Sequence, residues 1–183
     1  MLESFGFIKV AQDVVLDPTV ASILPLLLFS FLNDLTGLFP FALAIAGQLL
    51  FLKHAFTMAF AAKLLVFVAV PVGVGSALGS IPLYLLAYYG GKPVINKLRR
   101  YIKFSWDDVE RVKSKFSGTW YDEVIFLLLR CTPVLPSFPM DIAGGILQMR
   151  FLPFFVLTIV GSVIRMMITL VIFGVGMQGL LQL

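Results

Sequence analysis

Charge, cysteine and histidine are all scarce in this chain of 183 residues. A single cysteine, Cys131, excludes an intrachain disulfide and any multi-cysteine metal site. A single histidine, His54, argues against a histidine-based zinc site. No nucleophile–base pair and no ordered ring of acidic side chains stands out, so neither an enzyme, a cofactor nor an ion-channel filter is expected. Charged residues make up 13% of the chain, against about 25% in a soluble globular domain. Water is therefore a poor solvent for this protein. The N-terminus lacks the pattern of a signal peptide, because Glu3, Lys9, Asp13 and Asp17 interrupt its apolar residues.

What the chain has instead is apolar length. Hydrophobic residues account for 60% of it, and the mean hydropathy is +0.99. A hydrocarbon core of about 30 Å needs roughly 20 apolar residues per helical crossing, so the length allows several passes in one compact all-α membrane domain. The basic pI near 9.3 does not signal nucleic acid, because the basic residues are concentrated. Eight of the fourteen Lys and Arg are Lys92, Lys97, Arg99, Arg100, Lys103, Arg111, Lys113 and Lys115. A basic stretch between two hydrophobic halves is the positive-inside signal and places residues 92–123 in the cytoplasm. Apolar spacing through this stretch, with Pro93 opening one turn and Ser105 and Asp108 resembling a capping box, fits two short amphipathic helices on the membrane surface; an ordinary solvated loop is the alternative.

The organisation follows from these boundaries. Residues 1–17 form an interfacial segment and residues 18–91 a first membrane unit, with a turn or broken helix at about 33–53, where Asn33, Asp34, Gly37 and Pro40 cluster. Residues 124–183 form a second unit, with a broken stretch at about 124–150 and one long apolar helix over 151–179. Within 55–91, Pro71, Gly73, Gly75 and Gly79 interrupt the apolar run, which leaves open one bent crossing or two passes.

The two units echo each other. Ala44–Leu52 lies over Asp141–Met149, sharing Ile-Ala-Gly and a later Leu. Each match is preceded by Phe-Pro and followed by a basic residue, Lys53 or Arg150. Farther on, Gly75-Ser76 matches Gly161-Ser162, and Gly90 matches Gly176 at the same spacing. Repeats with Gly/Pro-interrupted segments in corresponding positions characterise transporters whose sites lie near the midplane between them. If the repeats are inverted, each Phe-Pro segment is the tip of a re-entrant hairpin.

The stretch most informative for chemistry runs from Arg130 to Asp141. Pro133, Pro136 and Pro139 follow at three-residue spacing, and each lacks an N–H and clashes with the preceding turn of a helix. Freed backbone groups are tolerated at membrane depth where they are buried in protein or line a water-filled cavity. Intramembrane charges are costly and pair or line a pathway. Arg130 and Asp141 are thus either a structural ion pair or a functional one, with Arg130 anchoring phosphate or carboxylate and Asp141 taking a proton or cation. Asp34 is the counterpart in the first unit, or an interfacial cap. Arg165 lies too deep in its helix for easy snorkelling, and Asp34 or Asp141 is its expected partner. Lys53, His54, Lys63 and Arg150 suit the headgroup level.

Over about Phe31 to Gly176 the sequence resembles the DedA superfamily, also described through its VTT domain. The resemblance rests on Arg130-x-x-Pro133-x-x-Pro136, on Ala143-x-Gly145, on Phe151 and on Gly75-x-x-x-Gly79-Ser80-x-x-x-Tyr84. Pro136 stands where bacterial members often carry a second Arg, and Ser80 where they often carry Asp. The Pro133-x-x-Pro136 form looks closer to the branch that includes eukaryotic VTT proteins. The resemblance implies two inverted repeats, each a re-entrant hairpin followed by a transmembrane helix; the plasma membrane of a prokaryote is the expected location. It implies scramblase- or flippase-like movement of phospholipids or a polyprenyl-phosphate carrier. Arg130 and Arg165 would meet phosphate headgroups, with Asp34, Asp141, the three prolines and Gly145 completing the site and proton coupling as an accompaniment. A small-solute transporter coupled to protons or cations, and a non-transporting assembly factor, are the other classes.

Overall fold

The computed structural model describes residues 17–36, 41–51, 57–102, 120–133, 135 and 137–181. The interfacial stretch before Asp17, the Gly37–Pro40 turn, Lys53, His54, Pro136 and the part of the basic loop over 103–119 lie outside these. Among the described residues every regular element is helical.

Helix α1 (Ile23–Thr36) follows a 3-10 turn at Val20–Ser22. It carries Asn33 and Asp34 inside its last turn rather than in the turn expected there. Helix α2 (Phe41–Gly47) runs into a 3-10 turn at Gln48–Phe51. Helix α3 (Met58–Leu64) starts at Thr57, whose hydroxyl accepts the Phe60 N–H at 3.2 Å, as N-cap threonines do. A π-helical turn at Leu65–Ala69 joins α3 to helix α4 (Val70–Ile102) without interruption. Pro71 explains that turn: it has no N–H and its ring presses on the carbonyl four residues back. A wider turn, in which the Val70 N–H reaches Leu65 O, absorbs both defects.

The glycines and Pro71 therefore do not divide 55–91 into two passes. Met58–Gly90 is one helical run of 33 residues, about 50 Å long at 1.5 Å per residue. The helix also continues through Pro93 to Ile102, so residues 92–102 end a long helix instead of forming a separate surface one. Helix α5 (Trp120–Cys131) begins four residues before the expected boundary at 124. Helix α6 (Ser137–Ile146) and helix α7 (Phe151–Leu181) complete the chain. With 12 and 10 residues, α5 and α6 are about 18 and 15 Å long. Neither is long enough to cross a 30 Å core alone, whereas Phe151–Gly176 of α7, with 26 residues, is long and apolar enough to do so.

Helix α4 is the spine, packed by α1, α6 and α7. Its small residues permit the close approach on which helix packing in lipid depends. A Cβ at Gly75 would stand 2.2 Å from Leu27 O of α1, and one at Gly79 2.4 Å from Phe31 O. On α6, a Cβ at Gly145 would stand 2.4 Å from Tyr84 O of α4.

Two apolar cores result. One gathers Leu26, Ile45, Leu49, Leu64, Val68, Val72, Met166 and Leu170. The other gathers Tyr84, Phe126, Met149 and Phe154. Along α4 the first core precedes the second, and along α7 the order reverses, so these two helices run antiparallel. The outward faces are apolar too: Leu24, Leu28 and Leu32 on α1, Leu128 on α5 and Leu152 and Ile172 on α7 are all at least half exposed. Such a surface belongs in hydrocarbon rather than water.

Tyr84 ties the second core to the α6–α7 connection. Its hydroxyl donates to Met149 O at 2.6 Å, and its ring stacks on Phe154 with centroids 4.3 Å apart. Tyr84→Phe retains the stack and strands a buried carbonyl. It is expected to cost about 0.5–1.5 kcal/mol, read as a lowered thermal midpoint in detergent.

Candidate functional site

Between the two cores lies a polar layer. On α4 it falls between Val72 and Tyr84, and on α7 between Phe154 and Met166, close to the middle of both apolar spans. Its centre is Arg130, in the last turn of α5, where the exposed carbonyls of a helix end favour a cation. That helix stops immediately afterwards. Pro133 disfavours helical geometry in the residue before it, and Thr132 closes the end through its N–H to Leu129 O at 3.2 Å and its hydroxyl to Leu128 O at 3.1 Å. Pro139 sits half-buried near the start of α6. The proline series thus ends one helix and lets a second begin, which brings Asp141 back beside Arg130.

Arg130 Nη1 donates to Asp141 Oδ1 at 2.5 Å. Its Nη2 lies 3.7 Å from Asp34 Oδ2 and donates to Ser80 Oγ at 3.0 Å and, more weakly, to Ser76 Oγ at 3.4 Å. Ser76 donates to Asp34 Oδ2 and lies 3.1 Å from Ser162 Oγ. Ser80 donates to Ser76 O at 2.8 Å. Five helices, α1, α4, α5, α6 and α7, thus contribute to one network. Arg130, Asp34 and Asp141 are 2%, 3% and 0% exposed, so their charges have each other and the serines in place of water. Asp141 Oδ2 and Arg130 Nε have no hydrogen-bond partner among the described residues.

Glycine sets the geometry here as well. A Cβ at Gly161 would lie 2.9 Å from both Cβ and Cγ of Arg130, so the bare backbone of α7 is what admits the arginine stem. Gly145, expected among the site residues, packs on α4 instead, and Pro133 is a half-buried turn residue.

Arg165 departs from expectation. No carboxylate lies within ion-pair distance of it among the described residues, because Asp34 and Asp141 both face Arg130. Its Nη1 donates weakly to Leu135 O at 3.4 Å and its Nη2 to Ser137 Oγ at 3.2 Å. It points at the break between α5 and α6. The three serines were not expected as site residues, although Ser80 was part of the glycine-rich motif. Ser76 and Ser162 were visible as matching positions of the repeat, but a serine in an apolar helix does not advertise what it touches.

A family model, described as the VTT domain, matches residues 40–174. The chain belongs to the VTT-domain family. This is the domain of DedA and SNARE-associated Golgi proteins, so the apolar bundle is that of a membrane protein. Within the VTT match lie Arg130, Asp141, Arg165 and all three serines, while Asp34 precedes it. No curated protein and no solved structure matches the chain.

Proposed function

We propose that this VTT-domain protein is a multi-pass lipid transporter and not an enzyme, moving phospholipids or a polyprenyl-phosphate carrier between leaflets. The observation that carries the reading is the Arg130–Asp141–Asp34 network, buried at mid-span in a lipid-clad bundle and adjoining a broken helix. Charges at such depth are expensive and mark pathways.

The packing supports an inverted relation between the halves. Helices α4 and α7 are the corresponding long helices of the two units, and they run antiparallel. The matching residues Ser76 and Ser162 touch each other, as residues at a two-fold axis do. Gly75 packs on Leu27 and Ser30 of α1, while its match Gly161 packs on Leu127 and Arg130 of α5. On this reading the short pairs α1–α2 and α5–α6 are re-entrant hairpins; the basic residues of 92–123 favour a cytoplasmic loop, and a prokaryotic plasma membrane is the proposed location.

One guanidinium faces two carboxylates directly, while Arg165 acts on them from beyond ion-pair distance, so the direct contacts leave an excess of negative charge in a medium that opposes it. A proton on one carboxylate removes that charge, and its gain and loss would couple movement to a proton gradient. The test is a fluorescent-phospholipid scrambling assay in proteoliposomes. Wild type is expected to expose inner-leaflet lipid to a membrane-impermeant quencher, and Asp141→Asn to abolish the response to a pH gradient. Folded wild-type protein that moves no lipid rejects the transport reading; rates indifferent to the gradient reject the coupling alone.

A further inference from the structure

The buried Arg130 and the half-buried Arg165 differ in their direct partners, and this separates their roles. Arg130 is overcompensated, with two carboxylates facing it, and at 2% exposure it has no free side to offer. Arg165 bonds to a carbonyl and a hydroxyl, both neutral, so among the described residues it has no direct ion-pair partner; Asp34 and Asp141 act on it only from longer range. It stands fourteen positions into α7, about 21 Å from the start of the helix, well beyond the reach of a snorkelling side chain. A cation at this depth whose direct contacts are all neutral is open to an anion as a contact partner.

The register of the repeat shows why the space exists. The alignment that pairs Gly75 with Gly161 and Ser76 with Ser162 pairs Gly79 with Arg165. Gly79 lets α4 close directly on α1, with no room for a Cβ beside Phe31 O. At the matching position of the second half a long side chain spans from α7 to Leu135 and Ser137 across the helix break. The first half is sealed backbone to backbone, and the second is bridged by a guanidinium. The surroundings also say how a ligand arrives. Leu135, Ile164 and Ile168, beside or one turn from Arg165, are 37%, 37% and 38% exposed, so an apolar outer face flanks the half-buried cation.

We infer that Arg165, with Ser137 beside it and the Leu135 carbonyl that it now holds, is a lateral anion site for the phosphate of a membrane amphiphile, separate from the Arg130 network. The inference rests on the lipid-transport reading for its ligand class but not for its existence. The headgroup phosphate replaces the weak carbonyl contact of Nη1, and the acyl chains lie along Leu135, Ile164 and Ile168. Guanidinium suits this role because it presents paired N–H groups to phosphate oxygens.

The purified full chain in detergent is titrated with fluorescent phosphatidylglycerol and with fluorescent diacylglycerol, which has the tails without the phosphate. Wild type is expected to prefer the phosphatidylglycerol, and Arg165→Gln to reduce that preference by about tenfold or more, the scale of one lost charge-assisted hydrogen bond. Arg165→Lys is expected to retain part of it. Ser137→Asp is the second variant. It places a carboxylate where the hydroxyl now accepts from Nη2 at 3.2 Å, at a helix start that favours acidic residues, and is expected to fold while occupying the cation internally. It too is expected to lose the preference. Unchanged binding in a folded Ser137→Asp or Arg165→Gln protein overturns the site. Displacement of bound lipid by millimolar inorganic phosphate, with no contribution from the tails, reassigns it to free phosphate and overturns the amphiphile. If wild type binds through Arg165 yet scrambles nothing, the transport reading falls and the site stands; if it scrambles and both variants bind as wild type does, the reverse holds.

Discussion

Arg130→Ala is expected to abolish lipid movement and to destabilise the protein by about 3–5 kcal/mol, the usual cost of removing one partner from a buried ion pair. The change leaves Asp141 fully buried and Asp34 nearly so, with no cation between them and the serines Ser76 and Ser80 robbed of a donor. The corresponding fall in thermal midpoint is on the order of 10 °C for a chain of this size. Two comparisons separate charge from shape. Arg130→Ala combined with Asp141→Asn and Asp34→Asn removes the unpaired charges and is expected to recover most of the stability while staying inactive. Arg130→Lys keeps the charge but has one nitrogen where two are used, one for Asp141 and one for Ser80 and Asp34, and a point charge does not reproduce a planar fork. It is expected to fall between wild type and Arg130→Ala in both measurements. A midpoint unmoved by Arg130→Ala would mean that the network does not hold the helices together; transport unmoved by it would remove the network from the pathway.

How far the residues themselves announce this arrangement differs from one feature to the next. Arg130 and Asp141 are legible because charge in an apolar setting and proline at three-residue spacing are both improbable unless they serve one another. The prolines end a helix, a short connection starts another, and the two ends of the break meet. The membrane-buried bundle is legible for the same kind of reason, since long apolar runs have few alternatives. The path of residues 55–102 was not. Glycine and proline suggest interruption in water, yet inside a bundle Gly75 and Gly79 are contact surfaces and Pro71 is absorbed by one widened turn. The network around Arg130 was legible in part. Asp34 was singled out by its charge, but Ser76, Ser80 and Ser162 acquire meaning from which faces of α4 and α7 turn toward each other, and helical periodicity does not specify that in a helix apolar all round. Arg165 was assigned a carboxylate partner because opposite charges in one membrane domain should pair; both carboxylates were already committed to Arg130.

Gly75→Ala is expected to separate α1 from α4 and to stop transport, although it adds a single methyl group. That methyl would stand 2.1 Å from Ser30 Oγ and 2.2 Å from Leu27 O. The hydroxyl can rotate away, but the carbonyl belongs to the backbone of α1, so the helix itself must move. Overpacking a tight contact costs about 1–3 kcal/mol, and here the displacement has a functional consequence. Ser30 and Asp34 are one turn apart on α1, so pushing the helix off Gly75 draws Asp34 away from Ser76 and Arg130. The matched control is Gly176→Ala on α7, where a new Cβ meets nothing within 4 Å. Helix propensity then acts alone and favours alanine by up to about 1 kcal/mol. Thermal midpoints of the two variants in detergent should therefore move in opposite directions, and scrambling should be lost in Gly75→Ala and kept in Gly176→Ala. If the two behave alike, the close approach of α1 to α4 is not what positions Asp34, and the carboxylate reaches the network by some freedom of α1 that the packing does not require.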